Sequence, residues 1–180
     1  MKGIIFNLAE EVVSDAYGVD TWDDLLDSSG VNGAYTSLGN YPDDDLHRLV
    51  AAGASALEVP PADVLRSIGV GAMPKLAGRY PEFFTPHTSA RPFVLTLNDI
   101  IHPEVRKLYP GADVPEFEFD DSDPEVLELV YVSARKLCAL AEGFLAGAAT
   151  HYGQTAELQH VQCMHDGHDR CVIRCRFVAA

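Results

Sequence analysis

The chain has 180 residues, 47% of them hydrophobic, enough for one domain with a real core and too apolar for a disordered chain. Lys and Arg number 13 against 27 Asp and Glu, a formal net charge of -14, and that sign opposes a phosphate backbone and sets nucleic acid aside as a partner. No apolar run is long enough to span a bilayer and no secretory signal is visible at the N-terminus, so the expectation is a cytoplasmic protein with no membrane partner.

Between Lys2 and Tyr17 the residues Ile4, Ile5, Leu8, Val12 and Val13 recur at helical spacing, and Gly18 ends the run. Thr21 is placed to cap a second helix through Leu25 and Leu26. Pro42 and Asp43 start a third, which passes Leu46, Leu49 and Val50 to reach Leu57. Pro60-Pro61 open a fourth with Val64, Leu65 and Ile68 on one face, and glycines at 69, 71 and 78 are expected to loosen the chain beyond it. Pro92 to Ile101 reads equally as strand or helix. His102 follows Ile100-Ile101 and precedes Pro103, which biases His102 away from helical geometry. The imidazole is expected at a helix end, on a segment able to hinge.

The pattern changes after Pro115. Glu116-Phe117-Glu118-Phe119 alternates strictly, and Val126 to Val132 is a second strand-like run. A helix is predicted from Lys136 to about His151, closed by Tyr152-Gly153. Two further strands, Glu157 to Met164 and Cys171 to Val178, flank a turn at Asp166-Gly167. The expected fold is therefore α+β: a single domain over 1–180, with a helical part over about residues 1–60 and a mixed part over about 61–180 that carries an antiparallel sheet of about four strands. A cleft between two such parts suits a flat, apolar cofactor. The acidic clusters, Asp43-Asp44-Asp45 and Glu116 to Glu128, read as solvated surface and helix starts, with a docking face for a basic partner as the other reading.

Two groups of residues carry candidate chemistry. If Tyr131-Val132-Ser133-Ala134-Arg135 is extended, Tyr131, Ser133 and Arg135 point the same way. Two hydroxyls and a guanidinium suit a pair of carboxylates. A haem carries two propionates, and a lone histidine can supply its axial nitrogen. The bland alternative is an exposed strand edge with Arg135 opening the next helix. The second group holds all four cysteines, Cys138, Cys163, Cys171 and Cys175. With His160 or Cys138 as the fourth ligand, their spacing is compatible with tetrahedral zinc. Buried, reduced thiols are the alternative, and two disulfides a third option disfavoured without secretion. His165 and His168 flank the hairpin turn and are expected to be exposed. No Gly-rich phosphate loop or nucleophile motif is present, which sets kinase and hydrolase chemistry aside.

His102-Pro103-Glu104 and Tyr131 to Arg135, taken with Met1-Lys2-Gly3-Ile4-Ile5, Leu97 to Pro103 and Tyr109-Pro110-Gly111-Ala112, resemble the H-NOX family, the haem nitric oxide/oxygen-binding domains related to the sensor region of soluble guanylate cyclase. The resemblance runs end to end. It implies haem b between the two parts, His102 on a helix as the proximal iron ligand, Tyr131, Ser133 and Arg135 on the propionates, and Pro115 pressing on the macrocycle. Ile5, Met73, Leu140 and Phe144 would form an apolar distal wall, or simply pack the core. Family members that hold oxygen use a distal tyrosine where this chain has Leu140, supported by an N-terminal tryptophan where it has Ala9; the one tryptophan is Trp22. Oxygen on ferrous iron develops negative charge that needs a donor, whereas nitric oxide and carbon monoxide bind well without one. The resemblance thus implies a five-coordinate ferrous sensor that takes nitric oxide and carbon monoxide and excludes oxygen. It would signal by releasing His102 to a partner such as a histidine kinase or diguanylate cyclase. Some members also hold zinc in a similar cysteine cluster that responds to oxidation. The rival readings are a zinc/thiol redox sensor on the same fold and a haem enzyme such as a peroxidase, which needs a distal acid–base group that the apolar wall does not offer.

Overall fold

The computed structural model describes residues 1–180. The first four helices are α1 (Gly3–Tyr17), α2 (Val19–Ser29), α3 (Asp43–Leu57) and α4 (Pro61–Arg79). α3 buries its predicted Leu46, Leu49 and Val50, α4 buries Leu65 and Ile68 with Val64 only half-buried, and α2 buries Leu25 together with Trp22 while Leu26 is half-buried. On α1 only Leu8 of the predicted stripe is buried; Phe6 and Ala9 complete the buried face, and Ile4, Ile5, Val12 and Val13 are half-buried. Three acids in the first turn of α3 face the positive end of its dipole. Thr21 does not cap α2. The helix starts two residues earlier behind Gly18, and the Thr21 hydroxyl donates back to the Tyr17 carbonyl at the end of α1 at 2.9 Å.

The glycines of α4 do not loosen it. The helix runs unbroken through Gly69, Gly71 and Gly78, and through Pro74. Gly71 lies against Val12 of α1 and Gly78 meets nothing, but Gly69 has a steric role that depends on a partner distant in sequence, α8 (Cys138–His151). A Cβ on Gly69 would stand 2.6 Å from the Leu140 carbonyl oxygen and 2.8 Å from Gly143 Cα. One on Gly143 would collide with the Arg66 carbonyl, and one on Gly147 would lie 2.7 Å from Met73 Cβ. The two helices thus meet backbone to backbone. A helical glycine costs about 1 kcal/mol in propensity, and the close approach offsets it through dense packing. Pro74 deprives the Val70 carbonyl of its intrahelical donor, and that carbonyl faces Gly147.

Pro92 to Ile101 is helical. After α5 (Pro81–Phe84) come α6 (Ala90–Leu95), a π-helical turn over Leu97–Ile101, and α7 (His102–Leu108). The Ile101 amide reaches back five residues to the Thr96 carbonyl at 3.1 Å. His102 itself is helical, with φ -65 and ψ -38. The bias of a residue before proline is overridden because Pro103 sits in the first turn of α7, where a missing N–H leaves no bond unmade.

The sheet comprises β1 (Glu116–Asp120), β2 (Leu127–Val132), β3 (Gln154–Gln162) and β4 (Cys171–Ala179) in the order β1-β2-β4-β3, every pair antiparallel. β3 begins earlier than its residue pattern suggests. α8 begins later, because Lys136 takes a left-handed backbone (φ 51) and belongs to the turn. Two apolar cores result. Phe6, Trp22, Leu46, Leu49 and Ile68 centre the first, among the N-terminal helices. Phe84, Phe93, Leu127, Leu129 and Ile173 centre the second, between the sheet and α5–α6. α8 gives Leu140 to one and Leu145 to the other. No helix is long and apolar enough to cross a membrane.

Candidate functional site

A cavity of about 300 Å³ lies between the two cores, and 27 of its 35 lining residues are hydrophobic, so it suits an apolar occupant. Ile5, Met73, Leu140 and Phe144 line it from α1, α4 and α8; His102 and Pro115 line it from either side of α7; Tyr131, Ser133 and Arg135 line it from the end of β2 and the turn beyond. The structure brings all nine sequence-predicted residues around one space.

His102 opens α7, beside Phe117 with ring centroids 5.7 Å apart. Burial, with a smaller contribution from the Arg106 guanidinium, pushes its pKa down to about 4. The imidazole is therefore neutral near pH 7, with a lone pair free for a metal. The Pro115 carbonyl is the one neighbour favouring its protonated form, but Nδ1 is buried and has no partner at hydrogen-bonding distance. The segment ahead of it is fixed by Asn98, a residue the sequence did not single out. Its amide donates to the Phe117 carbonyl, and its oxygen accepts from the Phe117 N–H at 3.2 Å, tying the π turn to β1.

The polar trio converges by a different route from the one its alternation suggests. Extended geometry stops at Val132, and Ser133 to Lys136 form a turn closed by Lys136 N–H to the Ser133 carbonyl at 3.0 Å. Tyr131 is buried on β2, and its hydroxyl accepts from the Leu137 N–H at 3.0 Å. Burial raises its pKa. Ser133 Oγ accepts from the Arg135 N–H at 3.3 Å. Arg135 Nε donates to Asp43 at 2.9 Å, and its Nη1 donates to the Asp113 carbonyl. Burial alone would raise the Asp43 carboxyl, but the Met1 ammonium and Arg135 outweigh it and hold the group low. Asp43 was read from sequence only as part of an acidic helix start; nothing local marks it as the partner of Arg135.

Two tyrosines also line the cavity that sequence reasoning missed, Tyr80 and Tyr109, whose hydroxyls hydrogen-bond each other. Burial and the Tyr80 contact push Tyr109 up to about 12. Tyr152 lies elsewhere, its hydroxyl donating to the Phe84 carbonyl at 2.9 Å.

The cysteine cluster differs from its predicted membership. Cys138 at the start of α8, His160 on β3, Cys163 at its end and Cys171 at the start of β4 place their ligand atoms within 4.8 Å of one another. Both Cys138 and His160 belong, and Cys175 does not. Cys171, Ile173 and Cys175 share a strand face, but Cys175 stands about 13 Å further along β4, between Leu127 and Leu158. Burial pushes its thiol up to about 12, the behaviour of an inert core sulfur. All four cysteines are free thiols. The sulfurs of Cys138 and Cys163 are 3.9 Å apart and those of Cys163 and Cys171 4.0 Å. Zinc with arms of about 2.3 Å sets tetrahedral sulfurs about 3.8 Å apart. Backbone N–H groups of Met164 and His165 donate to the sulfurs of Cys171 and Cys163 at 3.3 and 3.4 Å, while burial raises the Cys171 thiol. His165 is exposed, its ring nitrogen at 2.8 Å from the Lys136 carbonyl oxygen.

The fold is α+β, with an apolar cavity between its two cores. The haem-NO-binding family model matches residues 2–160, and the chain belongs to that family. Among solved structures, it is similar to an H-NOX protein from S. oneidensis in the Fe(II)NO ligation state, at 33% identity over 98% of this chain and 99% of that one, with TM-score 0.91. The H-NOX domain from Shewanella oneidensis in the Fe(II)CO state matches at 33% identity over 98% of each chain, with TM-score 0.88. An oxygen-binding H-NOX domain related to soluble guanylate cyclases shares the fold at 24% identity over 98% of this chain and 95% of that one, with TM-score 0.81. No curated protein matches.

Proposed function

We propose that this chain is a cytoplasmic haem-based nitric oxide sensor that excludes oxygen and signals to a partner protein. The observation that carries the reading is His102: a neutral, half-buried imidazole at the wall of an apolar cavity, opposite no ionisable group on α1, α4 or α8 within that lining. A haem b bound there would supply an iron that takes nitric oxide or carbon monoxide. His102 would give it a nitrogen ligand, and Tyr131, Ser133 and Arg135 would hold the propionates. Arg135 would exchange its contacts with Asp43 and Asp113 for a propionate carboxylate. Pro115 would press on the ring. Ile5, Met73, Leu140 and Phe144 present no donor, and the Tyr80–Tyr109 pair spends one of its two O–H groups on their mutual hydrogen bond. Release of His102 from such an iron would free α7 to move about the π turn, giving a two-state element that a ligand can bias. A histidine kinase or a diguanylate cyclase is the partner this reading expects.

The absorption spectrum of the ferrous protein tests it. We expect a Soret band of a five-coordinate histidine-ligated haem, shifted by nitric oxide and unmoved on admission of air. Colourless protein from haem-replete cells overturns the reading. A stable response to oxygen overturns its selectivity, and loss of that response in Tyr80→Phe would trace the donor to the tyrosine pair.

A second reading is favoured by the sulfur spacing and the N–H···S bonds. Cys138, His160, Cys163 and Cys171 would hold zinc, and oxidation of the thiolates by a peroxide-class oxidant, itself reduced to water or an alcohol, would release it. Metal analysis of the purified protein tests this independently of the haem.

A further inference from the structure

His160 of the cluster is met by a side chain with no ligand role of its own. Glu142 lies in the middle of the apolar run of α8 and is 4% exposed. Its Oε1 is 2.7 Å from His160 Nδ1, and its Oε2 accepts from Arg66 Nε at 2.6 Å. Arg66 is held in turn by Asp63 at 2.6 Å. The other imidazole nitrogen, Nε2, is buried with no protein partner, and His160 belongs to the group whose ligand atoms all lie within 4.8 Å.

We propose that Glu142 is a positioning residue for a three-thiolate, one-imidazole metal site. It accepts the Nδ1–H of His160 and so fixes the tautomer whose Nε2 lone pair faces the three sulfurs. Burying a carboxylate inside a helix is expensive unless it is paired and hydrogen-bonded; here both oxygens are used, one to brace a ligand and one to take the Arg66 charge. Metal-bound histidines are held by carboxylates in this way, and loss of such a brace weakens metal binding by about 10- to 100-fold. The choice of histidine also fits the charge: three thiolates and a divalent zinc leave one negative charge, and the Glu142–Arg66 pair adds none. A fourth thiolate beside Glu142 would add another. The chain Asp63–Arg66–Glu142–His160 therefore links α4 and α8 to the metal corner.

This inference rests on the zinc reading above, and the experiment separates their failures. Zinc affinity of the full-length, haem-loaded protein is measured by competition with a chromophoric chelator. Its donor set is read from zinc K-edge X-ray absorption, which the haem does not obscure. Wild type is expected to take one zinc with three sulfur donors and one nitrogen, and Glu142→Gln to bind it about 10- to 100-fold more weakly. His160→Cys replaces the imidazole by a thiolate, and in that background Glu142→Gln is expected to change nothing. Glu142→Gln binding as tightly as wild type overturns the proposal while leaving zinc in place. Equal losses in both backgrounds overturn it too, because Glu142 then supports the fold and not the ligand. A wild-type protein that takes no zinc overturns both readings together.

Discussion

Two imidazoles, at opposite ends of the same sheet, are held in contrasting ways. His102 sits on α7, a helix with no buried residue, behind a π turn, and its Nδ1 has no partner. His160 sits where α8, β3 and β4 meet, its Nδ1 clamped by Glu142 at 2.7 Å, and α8 buries nine of its residues. An unbraced ligand on a loosely packed helix can be lost at small structural cost, because little else has to move. A braced ligand on a helix that meets its neighbour backbone to backbone cannot. The geometry thus separates a corner suited to letting go from a corner suited to holding on.

The difference can be attacked from either side. The largest effect is expected from His102→Ala, which should abolish the response of the partner to nitric oxide, with free imidazole restoring the haem spectrum but not the response; thermal unfolding should move little. Gly143→Ala should do the opposite. Its methyl would collide with the Arg66 carbonyl, the two helices would have to separate, and stability should fall by about 3 kcal/mol, measured by denaturant unfolding. A loss under about 1 kcal/mol would mean that the α4–α8 contact yields easily. Acid should single out the loose corner. The folded His102 has its pKa lowered from 6.5 to about 4, so the unfolded chain binds its proton first. Stability from this group is complete above about pH 6.5 and drains as pH falls towards about 4, by about 3 kcal/mol at most. The His102→Ala protein should lack that slope in a pH series of unfolding midpoints. The smallest effect is expected at Gly78, where an added Cβ meets nothing within 4 Å. Gly78→Ala should stabilise α4 by about 0.5–1 kcal/mol, and a destabilisation would show that the end of α4 is under strain.

Local patterns were enough to find the helices of the first core and all four strands, because apolar spacing and proline or glycine punctuation report directly on which face is buried. The nine cavity residues were legible through short motifs read against a known family. What was missed is pairwise. Gly69 and Gly143 look like helix breakers until Gly69 is seen to face Gly143 Cα and Gly143 the Arg66 carbonyl. Cys175 has better spacing from Cys171 than Cys138 does, yet four residues of strand carry it out of reach. Glu142 did leave a signal, a lone carboxylate in Cys138-Ala139-Leu140-Ala141-Glu142-Gly143-Phe144, but its meaning needed the position of His160. The π turn left none, since Leu97 to Ile101 differs from an ordinary helix only in where one amide reaches.

Helix α8 begins with Cys138 of the cysteine–histidine cluster and, within two turns, presents Leu140 and Phe144 to the cavity. A rigid rod shared by two chambers makes them thermodynamic correspondents. If filling one chamber multiplies the gas affinity of the other by some factor, admission of the gas must multiply the metal affinity by the same factor. One titration, run from whichever side is easier to see, measures the conversation in both directions.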